Sequence, residues 1–147
     1  MPVVRVYVPL SGSAVLRLAE SGEIPAEPDH PVPAFAVTHE LAASGVGLDD
    51  EDLEYLAFVE AVLAAGAARD HSTDRRVVGA ADADPGGVQP VPGSLGAIRL
   101  IAPVPLSRVA SFHVEEDGAH SGAEADVADA LLWYDVTELV EVCSFFR

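Results

Sequence analysis

The stretch "HVEEDGAH", residues 113–120, gathers His113, Glu115, Glu116, Asp117 and His120 in one short segment. Two imidazoles and three carboxylates are the donor types of a transition-metal site, where ring nitrogen and carboxylate oxygen share a divalent ion. The spacing matches neither HExxH nor a ligand pair on one helical face. On an extended strand, however, His113 and Glu115 share a face, so His113, Glu115 and His120 are the best ligand set if a metal binds. A polar strand edge running into an acidic loop accounts for the same residues. A second candidate is "ADADPGG", which places Asp82 and Asp84 two apart at a strand end and can present both carboxylates to a cation such as Mg²⁺. An EF-hand loop beginning at Asp82 would need a glutamate where Gly93 stands, so a Ca²⁺ loop is ruled out. Asp before Pro-Gly is also ordinary turn chemistry.

Other chemistry-bearing residues are weaker. In "VPLSGSA", Ser11, Gly12 and Ser13 lie where a strand gives way to a helix, and free amides there could hold an anion. The segment lacks the spacing and the Lys-Ser/Thr of a P-loop, and serine capping explains it equally well. Cys143 lies in the apolar "LVEVCSFF" with no neighbouring base or cation to lower its pKa, which points to an inert, buried thiol. No serine occurs in GxSxG or SxxK.

These residues must be positioned by a chain that alternates strand and helix in its first half. "VVRVYV" (3–8) reads as a strand, and a helix follows, capped by Ser11 or Ser13 and closed by Gly22. Residues 24–33 hold four prolines and read as an extended surface loop. "AFAVT" (34–38) supplies a second strand and "HELAAS" a short helical turn. The clearest helix is capped by Asp49, with Asp52 three residues on. It carries Leu53, Leu56, Val59, Glu60 and Leu63 on one stripe, widened by Tyr55, Phe58 and Val62. Then come a strand from Arg75 to about Ala81, a Gly/Pro loop over 84–96, and a strand from Ala97. In "SRVASFHVEE" the alternation places Ala110, Phe112 and Val114 on one face and Ser111, His113 and Glu115 on the other, half exposed. "AEADVADA" reads as a short acidic helix.

"LLWYD" (131–135) holds the only tryptophan. As a strand it turns Leu132 and Tyr134 one way and Leu131 and Trp133 the other, which suits a strand covered on both faces. Trp133 and Tyr134 then read as core anchors. Asp135, with Glu138 three residues on, has the spacing to cap a final helix.

The 147 residues point to one domain, 1–147, of α/β to α+β class. The expected architecture is a mixed sheet of about five or six strands, with a βαβαβ start, right-handed first crossovers and helices packed on the sheet. The single cysteine agrees with a reducing compartment, and no apolar run approaches a membrane span, so a cytoplasmic protein is expected. The formal net charge is −16, all eight basic residues are arginine, and lysine and asparagine do not occur. Such acidity repels phosphate backbones. It can engage a basic partner, but a solvated, soluble surface accounts for it more simply. The avoidance of lysine and asparagine codons points to a GC-rich genome and a partly compositional acidity.

Several segments, "RVYVPL", "AFAVT", "DDEDLEY", "RRVV" with "AAD", "IAPVPL" and the closing "LLWYD" with "TEL", together spread over most of the chain. On these the sequence resembles an uncharacterised actinobacterial domain family. The resemblance implies an α/β-type cytosolic domain and brings no established activity or site residues.

The residues together favour a non-catalytic binding or regulatory module acting through protein contacts, with no cofactor unless a divalent metal binds. The alternatives are a small metal-dependent enzyme, such as a hydrolase using Asp82, Asp84 or the His113 group, and an acidic mimic of nucleic acid. Oligomeric state stays open.

Overall fold

Among the described residues every strand pairing in the computed structural model is antiparallel. The structure describes residues 2–116 and 124–147. The chain runs through β1 (Val4–Leu10), α1 (Gly12–Ser21), β2 (Glu23–Ile24), β3 (Val32–Ala36), α2 (His39–Ser44), α3 (Asp50–Ala68) and β4 (Val77–Ala83). It continues through β5 (Val88–Pro90), β6 (Ala97–Leu100), β7 (Val104–Pro105), β8 (Val109–Val114), α4 (Glu124–Ala130), β9 (Leu132–Asp135) and α5 (Leu139–Ser144). Seven strands form one sheet in the order β5-β6-β3-β1-β4-β8-β9, and β2 pairs with β7 in a separate ribbon.

The fold is therefore α+β, and the expected mixed sheet with parallel, right-handed crossovers is corrected. The strand after α1 does not return beside β1. Instead Glu23 and Ile24 leave the main sheet to pair with Pro105 and Val104. The proline-rich segment then gives room for β3 to run back antiparallel, pairing Val6 with Ala36 and Tyr7 with Phe35. That segment is less of a loop than expected, because strands claim both its ends and Glu27 bridges His30. Likewise the Gly/Pro stretch over 84–96 contains β5, whose Val88 and Gln89 pair with Leu100 and Arg99.

The sheet is covered on both faces. On one, Val6, Val8, Phe112 and Val114 pack with Val15 and Leu18 of α1 and Leu139, Val142 and Cys143 of α5. On the other, Tyr7, Val78 and Ala80 meet α3, backed by Leu41 of α2 and Val127 and Ala128 of α4. Alternation along β1 explains the division: valines at 6 and 8 face one layer, Tyr7 the other. In β8 a bulge shifts the register opposite Ala80 and Ala81, so Val109 rather than Ala110 joins Phe112 and Val114 in the core.

The expected stripe of α3 is also revised. Its buried residues are Leu53, Ala57, Ala61, Val62 and Ala65, whereas Leu56 and Leu63 are exposed. Alanines at every fourth position let the helix axis approach the sheet closely, which larger side chains there would prevent. The helix starts as expected: Asp49 accepts from the Asp52 amide at 2.8 Å, and Asp52 accepts from the Asp49 amide at 3.3 Å. Helix α1 is capped by Ser11 and ends at Gly22, whose left-handed φ of 75° favours glycine. Among the described residues no helix is long and apolar enough to cross a membrane.

Candidate functional site

Strand parity and helical periodicity converge on one cleft. Arg5 and Tyr7 alternate onto the α3 face of β1, as Ser111 and His113 do on β8, and Ala80 lies on β4 between them. From above, Glu51, Glu54, Tyr55 and Phe58 line it, spaced i, i+3, i+4, i+7 along one face of α3. Trp133 of β9, which lies opposite His113, completes the wall. The cleft encloses about 400 Å³, enough for one large side chain or a small ligand.

Its aromatic rings form a connected set. Phe58 meets Tyr7 edge-on at 5.8 Å and His113 at 4.9 Å, and lies 6.5 Å from Tyr55. The Tyr55 hydroxyl donates to Asp129 of α4 at 2.6 Å, tying α3 to α4. Trp133 is 62% exposed and Leu132 42%, so the expectation of a core anchor is corrected for Trp133. Its parity is as read, but β9 is the last strand of the sheet, and that part of the α3 face is open cleft. Tyr134, on the opposite face, does pack on the core and meets Phe145 edge-on at 5.9 Å.

The polar groups are paired within the site. Arg5 Nε donates to Asp82 Oδ1 at 2.8 Å, the Tyr7 hydroxyl donates to Glu54 at 3.3 Å, and Ser111 Oγ lies 3.1 Å from His113 Nε2. Burial, reinforced by the Glu54 carboxylate, pushes the Tyr7 phenol up to about 12. Burial also holds His113 below the usual imidazole range, and the Arg5 guanidinium adds to the effect. At neutral pH the cleft therefore offers a neutral imidazole and a neutral phenol, facing the side chains of Glu51 and Glu54.

The suggested metal ligands are dispersed. Asp82 and Asp84 do meet at one hollow of about 100 Å³, separate from the His113 cleft, but each is paired with an arginine, Asp82 with Arg5 at 2.8 Å and Asp84 with Arg108 at 3.4 Å. Glu115 is taken up by Arg76, beside which its backbone continues the pairing of β8 with β4, and its carboxylate lies 2.7 Å from Arg76 Nη1. His120 and Asp117 lie outside the described residues. Among the described residues no three His, Cys, Asp or Glu side chains gather as a metal-binding group.

At the start of α1 the chain supplies its own anion. Asp70 accepts from the Ser13 amide at 2.9 Å and from the Ser13 hydroxyl at 3.2 Å, while Ser11 caps the Ala14 amide. Gly12 is pressed against the Phe146 ring: a Cβ there would come within 2.6 Å of it. Cys143 is buried, with its thiol 4.0 Å from the Val15 carbonyl. Asp135 opens the last helical segment. It accepts from the Thr137 hydroxyl at 2.6 Å, a bond that holds its carboxyl below the usual range, and its amide donates to Glu138.

Sequence reasoning had missed Arg5, Tyr7, Glu51, Glu54, Tyr55, Phe58 and Ser111 as a group. The signal was there in two periods, alternation in "RVY" and the i, i+3, i+4, i+7 face of α3, but nothing local says that these faces meet. The chain matches no curated protein and no solved structure. Residues 4–143 match the model of a family of unknown function, DUF6912, and the chain belongs to that family.

Proposed function

We propose that the protein is a non-catalytic binding module, working in the cytoplasm through contacts with a protein partner, and that its cleft receives a basic side chain of that partner. One observation carries this reading: the exposed indole of Trp133 shares a cleft with Tyr55, Phe58, Glu51 and Glu54. Aromatic faces attract a cation through their quadrupole, and nearby carboxylates add charge and hydrogen-bond acceptors. Arg5 does not cancel this, because Asp82 already pairs with it at 2.8 Å. The net charge of −16 draws a basic partner toward the molecule and speeds its encounter. The internal pairing of Arg5, Tyr7, Ser111 and His113 suits a surface shaped to hold a ligand. Trp133 is the only tryptophan, so its fluorescence is a direct test. Titration with N-acetyl-arginine amide should change the emission saturably, and N-acetyl-glutamate amide should not. Identical, non-saturating responses to both would sink the reading.

A second reading, a small hydrolase, has one observation in its favour, the 3.1 Å contact between Ser111 Oγ and His113 Nε2. A neutral imidazole beside a hydroxyl is the starting arrangement of a nucleophile and its base. Against it, Ser111 is itself buried. Covalent labelling of Ser111 by a fluorophosphonate would favour this second reading over the first.

A further inference from the structure

We infer that the partner presents its basic side chains on an extended segment that adds to the free edge of β9 as an eighth strand. This rests on the cleft reading above and names what delivers the cation. The two ends of the sheet differ. At one end β5 is three residues long and finishes in Pro90, a residue that cannot donate to a further strand. At the other end β9, "LWYD", pairs with β8 from Leu132 to Asp135 and carries no proline, no lysine and no bulge. Among the described residues no strand lies beyond it.

Edges left open in this way are usually guarded by charge, proline or a covering segment, because their unpaired amides and carbonyls recruit other chains. Here the edge ends in one charge, Asp135, whose amide already donates to Glu138, and otherwise shows Leu132 and Trp133, two of the exposed large apolar side chains of the molecule. An added strand would set one of its residues about 5 Å from Trp133 on the same face. Its alternate side chains would then all point to the cleft face. An arginine or lysine there can lay its stem along the indole and bring its charge toward Glu51 and Glu54. Ladder hydrogen bonds would give affinity, and the cleft would select the side chain.

A second copy of this chain is the poorer occupant. It would bring its own charge of −16 and a second Glu51 and Glu54 to the same edge, where like charges oppose the approach. A basic extended peptide meets complementary charge instead.

The test uses the full chain and three blocked synthetic peptides: Thr-Arg-Val-Arg-Val-Arg-Thr, the same peptide with Glu for Arg, and the arginine peptide with its central amides N-methylated. Trp133 emission reports the cleft, and hydrogen exchange of the β9 amides that point away from β8 reports the edge. The arginine peptide should shift the emission and slow exchange in β9, and the acidic peptide should do neither. N-methylation should weaken binding by about tenfold or more, because the ladder bonds are lost. Equal binding of the methylated peptide, or a Trp133 response with unchanged β9 exchange, would overturn strand addition and leave the cation cleft standing. No Trp133 response to the arginine peptide or to N-acetyl-arginine amide would overturn both. A dimer in sedimentation whose β9 amides are protected without peptide would assign the edge to a second copy and overturn the proposal.

Discussion

Glu115 and Arg76 hold each other through both backbone and side chain. The Arg76 amide donates to Glu115 Oε1 at 2.7 Å, Arg76 Nη1 donates to Oε2 at 2.7 Å, and the Glu115 amide donates to the Arg76 carbonyl at 3.0 Å. The Glu115 side chain is only 3% exposed. Removing one partner of such a pair leaves the other charge buried and uncompensated. Glu115→Ala should therefore cost about 3 kcal/mol or more in urea unfolding, with no selective effect on the cleft. A loss below about 1 kcal/mol would show the pair to be of the weak, solvated kind.

Trp133→Ala separates a core anchor from a cleft wall. A buried tryptophan costs about 3–5 kcal/mol when truncated, whereas an exposed side chain away from special features costs roughly 0.5 kcal/mol or less. With the indole 62% exposed, the variant should keep its unfolding midpoint nearly unchanged and lose affinity for arginine amide, measured by calorimetry because the fluorophore is gone. A large fall in stability would return Trp133 to the core.

His113 makes stability depend on pH in the weakly acidic range. Its folded-state pKa lies below the ordinary 6.5, so between the two values the unfolded chain binds more protons and stability rises with pH. The contribution is intact above 6.5 and is eroded as pH falls below it. His113→Gln should flatten the slope of urea midpoint against pH just below 6.5. An unchanged slope would contradict the depressed value.

Tyr7 should act at the opposite end of the scale. Its phenol titrates at about 12 in the folded state against 10.0 ordinarily, so its stabilising contribution is complete below pH 10 and is lost as pH climbs toward 12. Tyrosinate absorbance at 295 nm should show a late-titrating component that vanishes in Tyr7→Phe. Its persistence in that variant would assign the component to another tyrosine.

Gly12→Ala tests the contact between α1 and the C-terminal aromatic residues. Alanine normally favours a helix, but a Cβ here would come within 2.6 Å of Phe146 Cδ1 and 3.0 Å of its Cγ. Overpacking of this kind costs about 1–3 kcal/mol. A thermal melt of Gly12→Ala should show destabilisation, relieved when Phe146 is also changed to Leu. A gain in stability would mean that the ring moves aside freely.

What the residues disclosed by themselves depended on range. Caps and turns at Asp49, Ser11, Gly22 and Asp135 were legible because their hydrogen bonds span three or four positions. The parity of "LLWYD" and "SFHV" was legible too, apart from the bulge, which only the partner strand reveals. What covers a face was not legible. Trp133 reads like a core residue until β9 is known to be the edge, and Leu56 and Leu63 outrank Ala57 and Ala61 in any count of apolar bulk although the alanines are the buried ones. Direction of pairing was equally hidden. A strand–helix–strand order suggests a parallel return, and only the excursion of Glu23 and Ile24 to β7 makes it antiparallel. The cleft joins two such non-local facts, so its residues were visible singly and their meeting was not.

The place of β1 has a consequence for how the molecule comes together. It is the first strand in sequence yet sits in the middle of the sheet, hydrogen-bonded to β3 on one side and along its whole length to β4 on the other, from Val4 opposite Ala83 to Leu10 opposite Val77. Without it the sheet separates into β5-β6-β3 and β4-β8-β9, two blocks with no hydrogen bonds between them. β3 follows first and can cover one edge of β1, but the other edge must wait, unpaired, until Val77–Ala83 of β4 has emerged far behind it. Closure over that distance makes folding slow and all-or-none, and gives the growing chain a sticky interval before the central seam is sewn.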